Sequence, residues 1–112
     1  MISRLSFLIR RDDMGVAAFR TYWLEEHAPL VRAMPGLQAY RIGFLDPEAG
    51  GLTPDGADGA DGPADGYAMM GFASLETMEA AFASPEGRAA AADTANFAKA
   101  VHRVVVDETV VI

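Results

Sequence analysis

The spacing of apolar residues switches between two periods along this chain, and the order of the switches leaves few folds open. "ISRLSFLI" alternates and is rich in bulky side chains, which predicts a strand over residues 2–10 with apolar groups on both faces. In "DDMGVAAFRTYWLEEHAPLVRAM", Val16, Phe19, Trp23, His27, Leu30 and Met34 recur at three or four residues and fall on one stripe of a helix. Gly15 is its expected N-cap, and the Pro35-Gly36 pair its stop. "LQAYRIGFL", residues 37–45, returns to alternation, with Tyr40, Ile42 and Phe44 on one face and Ala39, Arg41, Gly43 and Leu45 on the other.

After a break the pattern repeats. "YAMMGFA", residues 67–73, is an uncharged strand, and Ser74 then caps a helix with Glu76 in its first turn and Leu75, Met78 and Phe82 on one side. Ser84 followed by Pro85 marks a second helix start, continued by "RAAAADTANFA". "VHRVVVDETVVI" is a β-branched strand expected to run to the last residue. Strand, helix, strand, strand, helix, strand is an α+β order. It predicts a ferredoxin-like βαββαβ fold, a four-stranded antiparallel sheet with both helices on one face. The uncharged third strand and valine-rich fourth leave too little polar surface to wet the other face, so a homodimer through that open face is expected.

One domain spanning residues 1–112 accommodates this order. With no cysteine, the core must come from packing alone. No apolar run approaches the roughly 18 residues of a membrane helix, and "MISRLSFLIRRDD" flanks a run too short for a secretory signal with charges, so a cytoplasmic domain is expected. The net charge of −7 is concentrated: six acidic residues and no basic one lie between Asp46 and Asp65, and the rest of the chain sums to −1. That stretch, about 46–66, reads as a mobile, solvated Gly/Asp loop. Asp55, Asp58 and Asp61 repeat every three residues, which does not match the alternate-residue ligands of a calcium loop. No basic stripe interleaved with aromatics supports nucleic-acid binding. Two histidines far apart in sequence make no metal set.

The predicted first helix contains an anomaly. Trp23 and His27 are one turn apart and point toward the sheet, while Pro29 lacks the N–H that the Glu25 carbonyl needs, at a cost of about 3 kcal/mol in a helix interior. Either the proline kinks the helix around the sheet and His27 is a satisfied core histidine, or the kink opens the layer and frees His27 to meet a ligand.

"FRTYWLEEHAPLVRAMPGLQAY", with "FASLETMEAAFASPEGRAAAADTANF" downstream and the valine-rich ending, resembles the EthD family of the dimeric α+β barrel superfamily. The resemblance covers nearly the whole chain except the acidic loop. It departs from the family's usual polar helix start, replaced here by "MGVAAF", and in the length of that loop. The resemblance implies paired ferredoxin-like subunits, each with a cavity between sheet and helices, and His27, Tyr22, Trp23, Tyr40, Asp93 and Phe97 as motif positions.

An imidazole moves protons near neutral pH, and burial beside an aromatic wall would depress its pKa unless a carboxylate opposed it. Asp93 is a candidate for that carboxylate, or else an aspartate tied to the backbone around residues 94–96. Tyr40 either bridges helix and sheet or donates to a substrate carbonyl or enolate. The alanines 89–92 either draw their helix close or leave room for a guest, with Tyr22, Trp23, Met70, Phe72 and Phe97 as walls for an apolar compound. His102 reads as structural. The expected activity is cofactor-free acid/base chemistry by His27, Tyr40 and Asp93 (isomerase, cyclase, dehydratase or decarboxylase) on an aromatic, lactone or polyketide-like molecule. The alternatives are a non-catalytic binding protein for an apolar metabolite, a structural dimer with a collapsed cavity, and a haem protein using His27 as axial ligand.

Overall fold

The computed structural model describes residues 1–45 and 64–112. The expected acidic loop and its calcium-like aspartates fall almost entirely outside the described residues. Asp65, at its end, is described: its carboxylate accepts the Arg10 backbone N–H at 2.8 Å, anchoring the start of the next strand beside the first.

The elements follow in the predicted order: β1 (Ile2–Arg10), α1 (Val16–Tyr22), a π-helical turn (Trp23–His27), α2 (Ala28–Arg32), β2 (Ala39–Phe44), β3 (Gly66–Phe72), α3 (Leu75–Ala83), α4 (Pro85–Asp93), a 3-10 turn (Thr94–Asn96) and β4 (Ala98–Asp107). The strands pair antiparallel in the order β2-β3-β1-β4, the ferredoxin-like arrangement. Registers Arg4↔Met70, Ser6↔Ala68, Tyr40↔Met70 and Ser6↔Arg103 put Arg4, Ser6, Leu8, Tyr40, Ala68, Met70, Val101 and Arg103 on the face that carries the helices. The other face presents Leu5, Phe7, Tyr67, Met69, His102 and Val104. No helix among the described residues is long and apolar enough to cross a membrane.

The caps form as the residues dictate. Ser74 accepts the Thr77 N–H at 3.1 Å and Ser84 the Gly87 N–H at 3.0 Å. Gly36 takes φ +82°, the left-handed geometry that turns the chain out of α2 toward β2. At Gly66 a Cβ would stand 2.7 Å from the Trp23 ring, so the missing side chain lets the indole lie on the sheet.

Two expectations need correction. The last strand does not reach residue 112: it starts at Ala98 and ends at Asp107, its last residue in register with β1 (Ile2↔Asp107). Beyond it Val110 and Val111 are 88 % exposed. The apolar stripe of the first helix also differs. Val16 is exposed and Leu30 only partly buried; the enclosed side chains are Phe19, Trp23, His27, Val31 and Met34. The cause is the helix geometry. Four-residue steps drift about 40° each around an α-helix of 3.6 residues per turn, so three steps from Phe19 would carry Val31 roughly 120° off the sheet. The π-helical turn takes up part of that drift with its wider ring: the Ala28 N–H donates to the Trp23 carbonyl, five residues back. Pro29 then falls in the first turn of α2, where an N–H is not required. The proline is therefore accommodated by a bulged turn within a helix whose Phe19 and Trp23 are each 1 % exposed, burial worth about 1.5–3 kcal/mol apiece.

Candidate active site

The π-helical turn delivers His27 to the end of α4. The His27 ring is 5 % exposed, and its Nδ1 lies 2.9 Å from Asp93 Oδ2. The same carboxylate accepts the Tyr22 hydroxyl at 2.6 Å and the Asn96 side-chain amide at 2.9 Å, both on Oδ1. Asp93 thus faces side chains, among them the His27 imidazole, rather than the backbone of the following turn. It is held there because α4 ends at Asp93 and the 3-10 turn brings Asn96 back over it.

The protonation states follow from these contacts. Burial works to raise the Asp93 carboxyl, but hydrogen bonds from Tyr22, Asn96 and His27 outweigh it and hold the group below the ordinary range. Donation to Asp93 pushes the Tyr22 hydroxyl up, so it stays a donor. For His27 burial dominates and lowers the pKa beneath its usual 6.5, with the Asp93 hydrogen bond and charge opposing. At neutral pH the imidazole is neutral, with its proton on Nδ1 directed at an ionised carboxylate. Nε2 is left with a lone pair and no hydrogen bond among the described residues.

His27 borders a hollow of about 40 Å³ between helices and sheet. Trp23, Val31 and Met34 share its helical wall, Tyr40 and Met70 its sheet wall, and Ala90 and Ala91 lie across it, where the small side chains leave space. The volume holds a few waters at roughly 10–15 Å³ each. Burial pushes the Tyr40 hydroxyl up to about 12, with the nearby Trp23 indole N–H partly offsetting it. Neither the Tyr40 hydroxyl nor the Trp23 Nε1 has a well-formed hydrogen bond among the described residues.

The structure therefore gathers His27, Trp23, Tyr40 and Met70 around one space, with Asp93 behind His27. Tyr22, Phe72 and Phe97, expected as walls, do not line it. Phe97 is fully buried and packs, tilted, against the imidazole, 4.8 Å from His27 and 5.3 Å from Tyr22 between ring centroids. Phe72 packs beside Phe82, 6.0 Å away, and Tyr22 is committed to Asp93. Three participants escaped the sequence reading. Asn96 holds Asp93, and Arg4 and Arg103 line the hollow. Arg4 was discoverable, since alternation places it between Ile2 and Ser6 on the face that carries Leu8. Among the described residues no three His, Asp or Glu side chains converge as a metal set.

A model of the EthD domain matches residues 11–100. The chain belongs to the EthD family. This EthD chain is 38 % identical over 82 residues, 73 % of its own length and 71 % of the other's, to an uncharacterised 11.0 kDa protein encoded in the thcB-thcC intergenic region of Rhodococcus erythropolis. Its fold is similar to that of an ethyl tert-butyl ether d (EthD) family protein from Bacillus halodurans, with a TM-score of 0.71 at 22 % identity over 97 % of this chain and 100 % of that one. A dimeric ferredoxin-like protein of unknown function from Bacteroides fragilis superposes with a TM-score of 0.65 at 13 % identity, covering 96 % and 95 % of the two chains. The EthD assignment agrees with the observed ferredoxin-like element order.

Proposed function

We propose that this EthD protein is a cofactor-independent acid/base catalyst that moves a proton on a small, largely apolar organic molecule seated over His27. The observation that carries the reading is the Tyr22–Asp93–His27 chain, which fixes the imidazole tautomer and leaves Nε2 as an acceptor at the hollow. His27 takes a proton from carbon or oxygen and returns it elsewhere on the same molecule. Asp93 stabilises the imidazolium formed in between, and Tyr40 donates to the oxygen on which charge develops. Isomerisation, cyclisation, dehydration and decarboxylation all fit these roles. Met34 and Met70, adaptable thioether walls, open the hollow for a guest larger than its resting volume.

The functional unit in this reading is a homodimer paired through the open sheet face. Val104 on that face is 47 % exposed, and the partly exposed Leu5 and Phe7 extend the apolar surface around it.

A second reading is a non-catalytic binding protein for an apolar metabolite, which the apolar walls Trp23, Val31, Met34 and Met70 would also serve. The two separate on His27→Ala. A catalyst loses turnover of its substrate by about 10²-fold or more while the dimer mass is unchanged. A carrier keeps its ligand affinity in His27→Gln. An unchanged rate in His27→Ala ends the catalytic reading.

A further inference from the structure

Among the described residues, the hollow carries positive charge that no lining carboxylate balances. Arg4 projects from β1 into the layer beneath the helices, half-buried, with its Nε enclosed and without a hydrogen-bond partner among the described residues. It lies over the Phe82 ring, 4.0 Å from the guanidinium carbon to the ring centroid. Arg103, at the exposed rim, lines the same hollow, and its charge adds to burial in lowering the Arg4 pKa to about 10. Among the described residues no aspartate or glutamate lines the hollow. A guanidinium held against an aromatic ring, without a carboxylate and beside a second cation, is costly unless a ligand completes it. The natural complement is a planar anion that accepts two parallel N–H donors.

We infer that the hollow is a seat for an organic acid, with the ligand's carboxylate on Arg4, Arg103 closing over it at the rim, and the apolar remainder against Trp23 and Met70. The inference rests on the reading of the hollow as the substrate site and narrows the substrate to compounds carrying a carboxylate. The polar end is fixed at the β1–β4 side, which presents the remainder to His27 and Tyr40.

The test uses the whole protein and two probes of nearly equal shape, benzoate and benzamide. Trp23 is the chain's single tryptophan and lines the hollow, so its fluorescence reports occupancy. At low salt, benzoate binds about tenfold or more tighter than benzamide. Arg4→Gln abolishes that preference and leaves benzamide affinity as it was, while Arg4→Lys, charged but without the fork, keeps part of it. Equal affinity in the wild type, no binding of either probe, or an intact preference in Arg4→Gln overturns the inference. The wild-type comparison stands even where a variant fails to fold. His27→Ala separates the two layers: an intact benzoate preference with unchanged turnover keeps the anion seat and removes the proton-transfer role. Charge-blind binding with lost turnover does the reverse.

Discussion

His27 stands between two opposing influences, burial that disfavours its charge and an Asp93 carboxylate that favours it, and burial wins. The balance makes the residue a base at neutral pH rather than a standing cation. Asp93→Asn removes both effects that raise the pKa, so the NMR titration midpoint of the His27 Cε1–H signal moves further down; His102→Gln identifies the other histidine signal. A midpoint that stays put or rises would show that Asp93 does not govern the ring. Stability follows the same sign. With the folded pKa below the ordinary 6.5, the unfolded chain binds its proton first, so denaturant stability falls as pH drops from about 6.5 and levels off beneath the folded value. The Asp93 contribution persists until pH falls below the ordinary carboxyl value of 3.8 and is lost from there downward.

The π-helical turn is the element on which the site depends. It keeps Phe19, Trp23, His27 and Val31 on the sheet side although they recur every four residues. Leu24 lies in that turn and is 50 % exposed, so deleting it removes the extra residue without removing a core side chain. The deletion forces an ordinary helix, breaks either the Val31 packing or the His27–Asp93 bond, and costs about 2 kcal/mol or more in denaturant unfolding. The His27 titration then changes with it. A variant with unchanged stability and unchanged titration would show the turn to be incidental. Order, caps and strand faces were legible because each is a local property: periodicity, a Ser before a helix, alternation along β2. Pro29 betrayed a disturbance in the helix, but its resolution into a π turn depends on packing against the sheet. That choice hid the exchange of Leu30 for Val31. Asp93 was legible as a candidate only, since its partners Tyr22 and His27 lie 71 and 66 residues away. The early end of β4 was illegible because "TVVI" has strand propensity whether or not a neighbouring strand remains to pair with it.

At the scale of the whole molecule, the sheet separates two tasks. One face holds the helices and the hollow; in the proposed pair the other, with Leu5, Phe7 and Val104, meets a second copy. Light scattering of the wild type is expected to give twice the chain mass of 11.9 kDa, and Val104→Asp to give a single chain. A wild type that stays monomeric at micromolar concentration would remove the pairing. Within that pair, the accepting imidazole nitrogen at the hollow is tested most directly by ¹⁵N NMR of histidine-labelled protein at about pH 7.5. The hydrogen bond to Asp93 places a proton on Nδ1 of His27, and the pKa lowered by burial leaves Nε2 unprotonated at that pH. A proton found on Nε2, or an imidazolium at that pH, would contradict the proposed base.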